Sequence, residues 1–212
     1  MIDLYIVGAG GFGREVLQWA KDVNRLNHHW TIRGFLSDPL DELDGKACDY
    51  AIVGQIHNWA PKPDEQYLMA VGDPAGKQKL ATLLLDKGAV FATLIHPSAQ
   101  VSEFTRIGRG TIICPNAEIS PNVTVGEFCS ILNAGIGHDV EIGDFSTISG
   151  GCYINGRVKI GRQVFAGSGV QIVPGRTVGD GAHLGIGSVV IRNVAACSKV
   201  FGNPAKLVDF DL

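Results

Sequence analysis

No apolar run in the 212 residues approaches the roughly 18 that a membrane-spanning helix needs. The Met-Ile-Asp-Leu-Tyr start lacks the basic flank, apolar core and small-residue cleavage site of a secretory leader. The expectation is a cytoplasmic protein with no membrane span. A disulfide framework is also lacking: Cys48, Cys114, Cys129, Cys152 and Cys197 are odd in number and contain no close pair, which fits reduced thiols. No histidine pair has metal-ligand spacing, so no metal site is expected. With 18 Lys and Arg against 21 Asp and Glu, net charge −3, and the basic residues scattered, nothing resembles a phosphate-backbone footprint. Nucleic acid is excluded as a partner.

Glycine is present in excess, 28 residues, nearly double the usual share of about 7%. It follows a six-residue rhythm. From Ile95 an aliphatic residue returns at Val101, Ile107, Ile113, Ile119, Val125 and Ile131, and again from Ile142 through Ile148, Ile154 and Ile160 to Val190. A helix wants spacings of three and four and a half-buried strand wants two; six serves neither. It is the period of a parallel β-helix, in which three hexads make one triangular coil. Sixteen such positions imply about five coils. Small residues after the stacked aliphatic, as in Ile107-Gly108 and Ile160-Gly161, suit the tight corners.

The first part of the chain has another rhythm. Leu4–Val7 reads as a buried strand running into Gly8-Ala9-Gly10-Gly11-Phe12-Gly13, and Arg14 to Val23 then has helical spacing. Further strands are expected at Thr31–Leu36, Tyr50–Val53, Tyr67–Val71 and Val90–Ile95, with a helix opening at Pro74 and closing at Gly88. This order gives a small Rossmann-like α/β domain over residues 1–92, followed by the solenoid over 93–212.

Two stretches carry chemistry. The glycine turn matches G-x-G-x-x-G, where backbone free of side chains lets phosphate approach the amides of a helix N-terminus. Asp38, 25 residues beyond Gly13, could hydrogen-bond a ribose. NAD is one candidate ligand, but a dehydrogenase needs a second region for its substrate, and everything that follows is solenoid. A nucleotide-bearing substrate fits better; a turn without ligand is the structural alternative. The second stretch is where the hexad count breaks. Ile131 and Ile142 are eleven residues apart where two hexads give twelve, and His138-Asp139 lies inside the gap. A carboxylate beside an imidazole orients the ring and stabilises its protonated form, and a local distortion of the coil is expected there.

The hexads, together with Asn133, His138-Asp139, Ile142-Gly143-Asp144-Phe145-Ser146, Gly156-Arg157-Val158-Lys159-Ile160-Gly161 and the closing Gly202-Asn203-Pro204-Ala205-Lys206, resemble the left-handed β-helix acyltransferases. The narrower likeness is to the group of sialic acid O-acetyltransferases and nucleotide-aminosugar N-acetyltransferases. It covers nearly the whole chain. The resemblance implies a left-handed solenoid, a homotrimer, and acetyl-CoA in the groove between neighbouring subunits. It also implies His138 as base, Asp139 as its acidic partner and Asn133 as a polar residue near the acceptor. Gly8, Gly10, Gly11, Gly13 and Asp38 correspond to the nucleotide-binding turn. Gly151, Gly167 and Gly169, with Gly202, Asn203, Pro204 and Lys206, correspond to the path of the CoA. Asn133 stands closer to the histidine than the pattern has it, and Thr147 occupies a position where such enzymes often carry a second histidine.

The function expected is acetyl transfer from acetyl-CoA to a sugar, foremost the amino group of a nucleotide-linked deoxysugar for bacterial surface-glycan synthesis. O-acetylation of sialic acid or another sugar is the alternative within the class. A non-catalytic hexapeptide scaffold and an NAD-binding protein are the alternatives outside it.

Overall fold

The computed structural model describes residues 1–209. Its N-terminal part is a parallel sheet of β1 (Ile2–Val7), β2 (Trp30–Leu36), β3 (Ile52–Gly54) and β4 (Glu65–Met69), in the order β3-β2-β1-β4. Helices α1 (Gly11–Asn27) and α2 (Pro74–Asp86) follow β1 and β4. The expected elements are all present, with shifted ends. α1 begins three residues before Arg14 because its first turn packs onto the end of β1: a Cβ on Gly13 would stand 2.0 Å from the Gly8 carbonyl oxygen. Glycines read as a loop are therefore already helix. α2 begins as its sequence suggests, with Asp73 accepting from the Gly76 amide at 2.6 Å and Pro74 opening the helix. Gly88, at φ 89°, ends it. The strand expected at Val90–Ile95 is divided: Phe91 bridges to Tyr67 at the sheet edge, and Leu94–Ile95 is the first strand of the solenoid.

The solenoid has three faces built of short strands, nearly all of two residues and stacked in parallel, holding eight, six and five strands in the order the chain visits them; the last of the eight, Lys206–Leu207, pairs antiparallel with Lys199–Phe201. Leu94–Ile95 and Ile112–Ile113 begin the first face, Gln100–Val101 and Glu118–Ile119 the second, Arg106–Ile107 and Thr124–Val125 the third. The second face holds six strands, so there are six coils against the five expected. The added positions are Ile136, which is buried in the gap of the hexad count, and Val200, in the last coil. Each coil points one aliphatic side chain per strand at the axis, as in Ile113, Ile131, Ile148 and Leu184 on the first face. Burial of each is worth about 1.5–3 kcal/mol relative to exposure.

The missing residue does not distort the corner that carries His138. Ile119 pairs with Ile136 across seventeen residues, while Ile136 pairs with Ile154 across the usual eighteen. The loss falls in the corner Leu132-Asn133-Ala134, before the strand Gly135–Ile136, and the corner that carries His138 keeps its full length. The shortened corner uses an unusual acceptor: the Asn133 amide donates to the Cys114 sulfur.

The two parts of the chain share their packing. Leu94 and Ile112 belong to the cluster built by Leu4, Ile6 and Val16. Phe91 meets Phe128 edge-on at 5.0 Å, and Phe128 stacks on Phe145 at 5.3 Å. Beside them Lys77 of α2 is wholly buried against the first face. Its Nζ donates to Ser130 Oγ at 2.9 Å and Thr147 Oγ1 at 2.8 Å, and Thr147 in turn donates to the Gly72 carbonyl at 2.7 Å. Thr147 thus belongs to the contact between the two parts. Desolvation lowers the Lys77 pKa to about 8. The unfolded chain keeps that proton up to about 10.4, so between these values the unfolded state binds more protons and the Lys77 contribution to stability rises with pH. In denaturant titrations from pH 7 to pH 10, the wild type is therefore expected to gain on Lys77→Met by about 2 kcal/mol or more. Parallel curves for the two proteins would show that burial does not lower the pKa of the folded-state amine.

Candidate active site

His138 and Asp139 stand at the corner between the second and third faces, just after the strand Gly135–Ile136. Neighbouring coils hold the corner at both sides: the Asp139 amide donates to the Pro121 carbonyl at 3.2 Å, and the Arg157 amide to that of His138 at 2.9 Å. Asp139 sits at φ 59°, a left-handed conformation that Asp tolerates. Its carboxylate reaches His138, Nδ1 to Oδ2 2.7 Å. That hydrogen bond holds the Asp139 carboxyl below its ordinary range, aided by the Asn122 side chain and the Arg157 charge. An ionised carboxylate only accepts, so Nδ1 carries the hydrogen and Nε2 keeps its lone pair. Both side chains are about half exposed.

Nε2 lies over Gly156, one coil further on. A Cβ there would stand 2.6 Å from Nε2 and 2.8 Å from Cε1. The ring lies on bare backbone, a requirement that no motif spacing signals. The cleft at this corner has a volume of about 370 Å³ and is lined by His138 with Glu118, Ser120, Tyr153, Asn155 and Pro174 among others. Three of the thiols are buried, which pushes Cys129 and Cys152 up to about 11 and raises Cys114.

Asn133 is exposed and is not among the residues lining this cleft. It lies at the corner between the first and second faces, where its carbonyl accepts from the Gly151 amide at 2.9 Å. Gly151, Gly169 and Gly187 continue that corner upward with φ of 72°, 74° and 68°. A Cβ on either Gly151 or Gly169 would come no nearer than 3.8 Å to the next glycine, so the column is a strip of backbone without side chains. Gly187 went unassigned from the sequence. Gly167 has another role, since a Cβ there would meet the Ile186 amide at 2.9 Å. The closing tail folds over the last coil: the Gly202 amide donates to Ser188 Oγ at 3.2 Å, the Ala205 amide to the Val189 carbonyl at 2.8 Å, and Lys206 pairs with Phe201. Asn203 and Pro204 form the bend between them, joined by a cis peptide bond. The glycine column and His138 lie at opposite edges of the second face.

The glycine turn divides by role. A Cβ on Gly8, at φ 102°, would meet the Ala70 carbonyl oxygen at 2.8 Å, and Gly13 is held by its contact with Gly8; both serve packing. Gly10 and Gly11 have room for a side chain. No side chain caps α1 and its first turn has no acidic residue, so its leading amides are open to an anion. Arg14, in that turn, has a buried Nε with no hydrogen-bond partner. Asp38 lies beyond β2, on the same sheet end, with both oxygens engaged by His57: Oδ1 accepts from the backbone amide at 3.1 Å, and Oδ2 meets Nδ1 at 2.5 Å. The carboxylate that reaches the turn is Glu42, 3.4 Å from where a Cβ on Gly10 would stand.

Residues 3–84 match the PglD N-terminal domain family. Over 214 aligned residues the chain is 35% identical to GDP-perosamine N-acetyltransferase of Escherichia coli O157:H7, covering 97% of this chain and 96% of that one. The acetyltransferase domain of PglB from Neisseria gonorrhoeae FA1090, solved in complex with acetyl coenzyme A, superposes with a TM-score of 0.88 at 27% identity, over 97% of this chain and 98% of that one. PerB from Caulobacter crescentus, solved with CoA and GDP-perosamine, superposes with a TM-score of 0.88 at 25% identity, over 98% and 97%.

Gly156→Ala is expected to lift the His138 ring off the backbone while leaving the coils intact. Long-range nitrogen–proton spectra of the imidazole should show altered Nδ1 and Nε2 shifts, with circular dichroism unchanged. Wild-type imidazole shifts in the variant would mean that the ring is not seated on Gly156.

Proposed function

The chain belongs to the acetyl-CoA-dependent sugar acetyltransferases of the left-handed β-helix class, and from that premise we propose that it N-acetylates a nucleotide-linked amino deoxysugar. The observation that carries this reading is the pairing of His138 with Asp139 at an open cleft, in a chain whose N-terminal domain has uncapped helix amides beside a buried, unpartnered Arg14 Nε. In this reading the phosphates of the sugar nucleotide lie against Gly10, Gly11 and Arg14, and acetyl-CoA follows the column of Gly151, Gly169 and Gly187 to the Gly202–Lys206 tail. Glu42 is better placed than Asp38 to meet the ribose, because His57 already engages both Asp38 oxygens.

The amine attacks the thioester carbonyl, His138 Nε2 takes its proton, and Asp139 stabilises the imidazolium. The carbon–sulfur bond breaks, and the CoA thiolate recovers the proton from the imidazolium. A backbone amide of the solenoid stabilises the oxyanion. No acyl-enzyme is needed when both substrates meet in one groove, and the buried, protonated thiols favour none.

We propose a homotrimer, a reading that the placement of the parts supports. The N-terminal domain covers the first face through Lys77 and Phe128, while His138 stands at the corner between the other two faces, and the glycine column lies a face away from it. Within one chain the three are apart; a neighbouring solenoid set beside the first brings the base of one chain to the ligands of the other.

His138→Ala is expected to lower kcat by about 10²- to 10⁴-fold with acetyl-CoA still bound. GDP-perosamine is the first acceptor to test. Gly10→Val should raise KM for the sugar nucleotide alone. If the site is shared between chains, mixing His138→Ala with Gly10→Val protein under subunit exchange restores activity to part of the assemblies. Retention of wild-type kcat in His138→Ala would remove the proposed base, and a monomer by light scattering would remove the shared groove.

A further inference from the structure

Resting on that reading, we propose that Glu118 selects the acceptor as an ammonium ion, making the cleft specific for a sugar amine over a sugar hydroxyl or an acidic sugar. Glu118 lines the cleft that holds His138, and no lysine or arginine lines it. Three other outward carboxylates of the solenoid are paired with bases, Glu127 with Arg109 at 3.0 Å, Glu141 with Lys159 at 3.0 Å and Asp144 with Arg162 at 3.6 Å, and Asp180 accepts from the Arg162 amide at 2.9 Å. Among the described residues Glu118 has no ion-pair partner and no side-chain hydrogen bond. Its neighbours in the stack are Gln100 on one side and Gly135 on the other, neither of them charged. The remaining groups that titrate or carry charge about the cleft are Tyr153, His138, and Asp139 with the nearby Arg157.

The ground between Glu118 and His138 is low. Gly135 and Gly137 have no side chains, and the Tyr153 ring leans over Gly135, 3.0 Å from where a Cβ would be. The Asp139 carboxylate, held ionised by its bond to His138, adds negative potential behind the imidazole. A cation entering this corner therefore meets an unpaired carboxylate in front of the base. A hydroxyl gains much less from that charge, and a sugar acid such as sialic acid is repelled by it. This argues against O-acetylation of sialic acid.

A sugar amine next to electron-withdrawing ring substituents titrates near about 8, like an α-amino group, and so arrives largely as ammonium at neutral pH. It releases one proton to solvent and attacks as the free amine, and His138 takes the second proton. Glu118 itself exchanges none; it captures and orients the nitrogen. Its effect therefore belongs to KM and depends on the charge of the acceptor.

The test compares wild type with Glu118→Gln on GDP-perosamine and on UDP- and dTDP-linked amino deoxysugars. At pH 7 the variant should show a KM for the amine raised by roughly tenfold, with KM for acetyl-CoA unchanged and kcat altered less. Above pH 9, where the acceptor is neutral, the ratio of the two KM values should fall towards one. Glu118→Asp should recover part of the loss. An unchanged KM at pH 7, or a raised ratio that ignores pH, overturns the proposal and leaves the acetyltransferase reading standing. Wild-type transfer to hydroxyl acceptors with none to any amine overturns both.

Discussion

The constraint on which the structure rests is the register of the solenoid stack. Each strand is only two residues long and holds its place by pairing in parallel with the strand one coil away, as in Ser130–Ile131 with Thr147–Ile148. A slip of one residue would turn Ile131 and Ile148 outward and put Ser130 and Thr147 on the axis. A coil can lose a residue only in a corner, and the loss at Leu132-Asn133-Ala134 shows this: the strands on either side stay paired, and a cysteine sulfur takes the amide there. Because register is kept, the corners stack as columns, and both proposed ligand paths follow those columns.

The rigid prism also determines what one chain does alone. Lys77 and the Phe91–Phe128–Phe145 contacts fix the N-terminal domain to the first face. The charge on Lys77 has no carboxylate within its hydrogen-bond set, only hydroxyls and a carbonyl, which suits a geometric role better than a purely stabilising one. Held there, the domain and His138 belong to different sides of the prism. Assembly of chains is thus part of the proposed chemistry.

Glycine does different work in different places. Gly8 and Gly13 allow the first turn of α1 to close on β1; Gly10 and Gly11 leave its amides uncovered. Gly151, Gly169 and Gly187 leave a bare column, whereas Gly156 gives His138 a seat. All are identical letters in a glycine-rich sequence. What separates them is the atom that a Cβ would meet.

Much was legible in the sequence because it is written in periods. The six-residue return of aliphatic side chains specified a β-helix, the strand–glycine–helix order specified a Rossmann-like domain, and His138-Asp139 marked an imidazole paired with its carboxylate neighbour. These depend on spacing along the chain, which the sequence contains directly. The start of α1 at Gly11 was masked because glycine favours turns by propensity, and only its packing on β1 makes it helix. Asn133 was grouped with His138 by the family resemblance, yet two residues on a solenoid share a corner only if they fall in the same column, and the strand Gly135–Ile136 puts these on different ones. The engagement of Asp38 by His57, the open Nε of Arg14, the seat at Gly156 and the unpaired charge of Glu118 depend on which coil lies above which. Sequence alone determined the repeat and the chemistry available at each corner. Tertiary structure decided which corners face each other, because contacts across seventeen or eighteen residues exist only once the coils are stacked.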